Sequence, residues 1–178
     1  MRNTKKKMAG VLKELLEKKH FHKITIEELV EKTGMTRQSF YYHFADIYDL
    51  LAYLCQLEVE NWFSDLDESS FTAWLDSLLL HMEGSRHLFE RIFDEVRGGV
   101  IHDYIFDKMK DQFKEVIRKP HVVIALKLET EEQIDFAADF LSDSIFWFFF
   151  MKVTKKSKIE REEFAEKYAE FLSNVITE

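Results

Sequence analysis

The chain has 178 residues, 46% of them hydrophobic and 15% aromatic, with 17 Phe, and a formal net charge of −8. That length buries a real core and suits one small domain followed by a larger helical one better than two independent enzymes. One Pro and five Gly, against abundant Leu, Glu, Lys and Phe, exclude a turn-rich β architecture and predict an all-α chain of about nine helices.

Other classes fall away on simple counts. A single cysteine, Cys55, excludes an internal disulfide, and its neighbours Leu51, Leu54 and Val59 make it a core residue suited to a reducing cytoplasm. The densest apolar run, Ile145 to Met151, lies between Asp143 and Lys152 and falls far short of the ~20 residues that span a bilayer. Met8, Val11, Leu12, Leu15 and Leu16 stand at helical spacing where a secretory leader would be continuous, so a cytoplasmic location and no membrane partner are expected. No nucleophile elbow, Walker loop, dinucleotide glycine pattern or zinc-ligand spacing is legible, so neither an enzyme nor a cofactor or metal site is expected.

In chain order, a first helix is predicted from about Thr4 to Lys19. Lys5, Lys6 and Lys7 oppose the dipole at its start, which reads either as a frayed arm contacting phosphate or the minor groove, or as a solvated charge run. Next, Thr25 is placed to cap a short helix, with Glu28 three residues on completing a capping box and Ile26, Leu29 and Val30 facing inward. Gly34 supplies a tight corner, and Thr36 is placed to cap a second helix, in which Phe40 and Phe44 are buried. That pattern is a helix-turn-helix spanning Ile24 to Phe44.

The exposed residue types of the second helix suit a DNA groove. Arg37 and Gln38 are the candidate base readers, because both side chains reach base edges in bidentate fashion. Ser39 and Tyr41 are assigned to bases or backbone, Tyr42 and His43 to phosphate, and Thr36 and Thr25 join the set as helix-start donors.

The Phe40-Tyr41-Tyr42-His43-Phe44 run after a glycine corner and a capping threonine resembles the amino-terminal domain of the TetR family of bacterial transcriptional regulators. The continuation Ala45-Asp46-Ile47-Tyr48-Asp49-Leu50-Leu51 is similar to the branch that includes regulators of dihydroxyacetone kinase operons. The likeness covers about the first 50 residues in detail. It departs at Ile47, where many members carry a lysine that supports a phosphate contact; Asp46 still suits an N-cap. The resemblance implies a homodimer on a palindromic double-stranded DNA operator.

Charge is distributed accordingly. Residues 1–50 hold ten Lys or Arg and seven Asp or Glu, a net +3, which leaves −11 for residues 51–178. The basic end is the end expected to meet phosphates. Residues 1–50 are thus assigned to the DNA-binding domain and 51–178 to a helical effector-binding and dimerisation domain.

A fourth helix from about Asp46 to Asp65 links the two. Further helices are predicted over Phe71 to Met82, Arg86 to Val96 and Val100 to Lys119, with a loop around Val122 to Leu128. A Thr130/Gln133 capping box then opens a helix running to about Lys152, and Ser157 with Glu160 opens a last one ending near Ile176. The apolar stripe of the final pair exceeds what one packing neighbour covers, which predicts a four-helix contact between subunits through Leu141, Ile145, Phe148, Phe149, Phe164, Tyr168 and Phe171.

Two modes of control are compatible with this chain. A small-molecule effector would sit in a pocket lined by Trp62, Phe89, Phe93, Tyr104 and Trp147. Alternatively, as the resemblance to regulators of dihydroxyacetone kinase operons implies, a kinase-like co-regulator protein would bind the acidic body and the chain would act as an activator. A dimeric helical interaction scaffold is the reading from outside the regulator class.

Overall fold

The structure, a computed structural model, describes residues 2–67, 69–95 and 127–176, together with 107, 111, 114, 115 and 118; the side chains of residues 2, 93–95 and 173–176 lie outside that description. Every regular element among the described residues is helical. The helices are α1 (Arg2–Lys18), α2 (Ile26–Thr33), α3 (Arg37–His43), α4 (Ile47–Trp62), α5 (Phe71–Gly84), α6 (Arg86–Glu95), α7 (Glu131–Val153) and α8 (Arg161–Ile176), with a 3₁₀ turn at Phe21–Lys23. Of the helix expected over Val100 to Lys119 only residues 107, 111, 114, 115 and 118 are described, the first four of them helical, and the loop after Pro120 as far as residue 126 lies outside the described residues.

The chain falls into two compact units, Met1–Glu58 with Arg86–Tyr104, and Val59–Ser85 with Ile105–Glu178. The first unit buries Met8, Leu12, Leu15 and Leu16 of α1, Leu29 of α2, Phe40 of α3 and Leu50, Leu51 and Leu54 of α4. These residues recur at three- and four-residue spacing, so each helix turns one stripe inward. Leu88, Phe89 and Ile92 of α6 bury in the same way.

Polar contacts brace this unit. Lys13 of α1 donates to Glu58 Oε1 of α4 at 2.6 Å, and Glu58 keeps only 8% of its side chain exposed. Lys7 Nζ donates to the carbonyl of Thr33 at 2.8 Å, closing the end of α2. The frayed arm expected at the amino terminus is therefore corrected: α1 begins at Arg2 and its third lysine is anchored.

Cys55 is fully buried, and burial, with the Glu58 carboxylate adding to it, pushes its thiol up to about 12. Below the ordinary thiol range both folded and unfolded states hold the proton. The stability that the raised value carries is fully present there and is lost as pH rises towards the folded-state value. Near neutral pH the native chain should resist iodoacetamide while denatured chain is alkylated rapidly; equal rates would show that Cys55 is open to solvent.

The second unit is built on aromatic packing. Trp62 is 1% exposed, meets Phe149 edge-on at 5.1 Å between centroids, and donates its indole N–H to Ser85 Oγ at 3.0 Å. Phe148 of α7 stacks on Phe164 of α8 at 3.8 Å, and Phe164 stacks on Tyr168, whose hydroxyl hydrogen-bonds Ser144. Arg161, at the start of α8, reaches Asp76 (3.1 Å) and Glu83 (3.8 Å) of α5.

Two expected caps differ in detail. The Thr25 hydroxyl accepts from Glu28 N–H at 3.3 Å, but the Glu28 carboxylate pairs with Lys19. Ser157 does not open α8: its hydroxyl accepts from Ile159 N–H, while the Glu160 carbonyl accepts from Phe164 N–H at 2.9 Å. In both cases a cation within reach, Lys19 or Lys152, holds the glutamate that the box would have used. At Thr130 both halves of the capping box form with Gln133.

Candidate nucleic-acid interface

The turn between α2 and α3 depends on a backbone conformation that few residues adopt. Gly34 has φ 67°, a left-handed value, and it closes α2 with its N–H donating to Glu31 O while Met35 N–H returns to Val30 O. This double return satisfies the last carbonyls of α2 and reverses the chain within two residues. Thr36 follows as N-cap of α3, its hydroxyl accepting from Ser39 N–H at 3.1 Å.

The cap sets which face of α3 looks outward. Phe40 is fully buried and Phe44, four residues on, is 2% exposed, so one edge of the helix belongs to the core. Arg37 and Gln38 are then exposed, as are Tyr41 (58%) and Tyr42 (70%) one turn further along. Arg37/Tyr41 and Gln38/Tyr42 form two adjacent stripes, each at i,i+4 spacing. Ser39 and His43 lie half-buried at the margin, with His43 edge-on to Tyr42 at 5.0 Å. Thr25 and Thr36 are exposed at the two helix starts.

This face combines donors for base edges with donors for phosphate, and nothing in it requires catalysis. Its flanks were less legible from sequence. Lys5, in the first turn of α1, holds its ammonium 5.1 Å from the Phe44 ring centroid and 5.5 Å from that of Tyr53, a cation–π seat near the end of α3. Asp46 caps α4 by accepting from Tyr48 and Asp49 N–H at 2.8 and 2.9 Å, so the helix start survives with Ile47.

Residues 11–54 match the sequence profile of the bacterial regulatory proteins, tetR family. Within those residues the chain resembles that family's amino-terminal domain. The matched stretch contains the α2–turn–α3 segment, a helix-turn-helix. A relative, the HTH-type dhaKLM operon transcriptional activator DhaS of Lactococcus lactis subsp. lactis (strain IL1403), is 27% identical over 95 residues, 51% of this chain and 49% of that protein. The match thus spans about half the length of that relative. Among solved structures, a dihydroxyacetone kinase operon activator DhaS superposes with a TM-score of 0.68 over 99% of this chain and 98% of that one, at 15% identity. At that identity the likeness carries the overall fold and nothing finer.

The residues expected to line an effector pocket belong to both units. Trp62 is buried in the second unit and Phe89 in the first, whereas Trp147 is 58% exposed. Phe93 and Tyr104 fall outside the described side chains. A groove of about 820 Å³ does open in the second unit, but Leu128, Phe136, Ala137, Phe140, Leu141, Phe171 and Leu172 form its apolar wall, and of the expected pocket residues that are described, Trp62, Phe89 and Trp147, none lines it.

The expected subunit-contact set also divides. Leu141, Ile145, Phe148 and Phe149 are at most 7% exposed, turned into the chain's own core, and Phe164 and Tyr168 are half-buried over them. Phe171 alone of that set is well exposed, at 54%, and Phe136 (72%), Phe140 (41%) and Trp147 (58%), none of them in the expected contact set, are exposed as well. The physical reason is the breadth of the apolar surface on α7: with Phe on nearly every side, spacing alone does not say which side the chain covers itself.

Proposed function

We propose that the protein is a sequence-specific transcriptional regulator that reads a palindromic operator as a homodimer, with DNA affinity set by an effector. The observation that carries this reading is the two-sided α3, with Phe40 and Phe44 buried beneath an exposed Arg37, Gln38, Tyr41 and Tyr42. A single α3 covers one half-site; two copies related by a twofold axis read two successive major grooves. Phe136, Phe140 and Trp147 on α7, with Phe171 on α8, form the apolar surface for that pairing. The regulator acts on cytoplasmic DNA and needs no catalytic step.

The names of the relatives favour one refinement. One is named a transcriptional activator of the dhaKLM operon and the other a dihydroxyacetone kinase operon activator. Under this refinement the chain is an activator whose effector is a kinase-like co-regulator protein, in place of a small molecule in a closed cavity. The aromatic interior around Trp62 favours a protein effector, since it fills the space that a small molecule there would need.

Selection of duplexes from a random pool at near-physiological salt tests the reading, run beside Phe140→Glu/Trp147→Glu. Wild-type chain should sediment as a dimer and recover an inverted repeat. The variant should remain folded, sediment as a monomer and lose the repeat, because a charge facing a charge across the twofold axis opposes association. A monomeric wild type that selects nothing would refute the proposal.

A further inference from the structure

We propose that Glu27 is a specificity-determining residue, which holds the base-reading Arg37 and lowers its affinity for phosphate. This inference rests on the DNA-reading role of α3. Glu27 lies in the first turn of α2, and its Oε1 accepts from Arg37 Nη2 at 2.6 Å across the Gly34 corner. The pair joins the two helices of the motif on the side that carries the exposed reading residues.

Its exposure shows what the pair does not do. The side chains are 58% and 71% exposed, and ion pairs in water add little to stability. The adjoining carboxylate, Glu28, is taken by Lys19, so of the two acids in the first turn of α2 it is Glu27 that reaches the reading helix.

The consequence follows from the geometry of a guanidinium. It presents five N–H donors in a planar fork, and a guanine edge uses two of them. With Nη2 on Glu27, the opposite edge of the fork stays open for a base while the side chain is kept from swinging. A phosphate approaching Arg37 meets the carboxylate as well and is repelled; a neutral base edge is not. Glu27 therefore lowers sequence-independent binding more than operator binding, and specificity is the difference between the two.

The test uses the full chain, the duplex recovered by selection and a scrambled duplex of equal length, titrated over a range of salt. Glu27→Gln should tighten scrambled-duplex binding about three- to tenfold and lower the operator-to-scrambled ratio by a similar factor, with a salt slope for the scrambled duplex steeper by roughly one. In an Arg37→Ala background the same change should leave the ratio unaltered, since nothing remains for Glu27 to hold. Equal tightening of both duplexes would reduce Glu27 to a general electrostatic effect and overturn the proposal. So would an equal fall in the ratio with Arg37 absent, which would place the effect in the start of α2. A wild-type ratio near one fails the DNA-reading role itself, and is told apart from these outcomes before any variant is made.

Discussion

The Arg37→Ala/Tyr42→Ala double variant should lose selection of an inverted repeat and weaken binding to the wild-type site by roughly two to three orders of magnitude, with an unchanged melting temperature. The loss combines two different contacts. Arg37 is placed to read a base edge, a contact that carries about 1–3 kcal/mol of discrimination, so its single replacement should relax preference at one position of each half-site. Tyr42, 70% exposed at the end of α3, is placed for phosphate, so Tyr42→Ala should weaken all sequences about equally. In a dimer each effect counts twice. Neither side chain supports the fold: both are exposed, and surface changes of this kind stay within about 0.5 kcal/mol of neutral. Fluorescence anisotropy on labelled duplexes gives the affinities and far-UV dichroism the melt. Unchanged selection by the double variant would mean that α3 is not the reading helix.

The helix-turn-helix could be recognised in the sequence because its determinants are local. A capping threonine, three residues and the N–H that it accepts from all lie within one turn, and the left-handed corner at Gly34 needs glycine at that position. Helix limits followed from the same local rules, with the start at Phe71 and the start at Glu131 as expected. What escaped was set by distance. Glu27 and Arg37 are ten residues apart, and helical spacing connects them only once the corner has folded. Lys19 and Lys152, which take the glutamates from two expected capping boxes, are tertiary or loop neighbours of the same kind. The exposed face of α7 was illegible for another reason: Phe146 and Trp147 are adjacent aromatics, yet one is 2% and the other 58% exposed. Periodicity requires a polar side to orient a helix, and α7 offers too little of one.

Phe40→Ala should remove DNA binding by a route that the double variant does not take. The ring is fully buried, edge-on to Tyr41 at 5.5 Å and 5.8 Å from Phe44, so truncation leaves a cavity beneath the reading helix. Deleting a buried phenyl ring costs about 3–5 kcal/mol, a large share of the roughly 5–15 kcal/mol that holds a typical domain together. The first unit should therefore open far more often, and Cys55, buried in that unit, reports it. If opening is fast relative to labelling, alkylation of Cys55 at neutral pH should accelerate by two orders of magnitude or more, in proportion to the lost stability. Arg37→Ala/Tyr42→Ala should leave that rate at the wild-type value while losing the operator. A Phe40→Ala chain that melts within about 1 kcal/mol of wild type and labels slowly would show that α3 is not anchored through this ring. The core edge of α3 would then have to be reassigned, and with it the arc of residues presented to DNA.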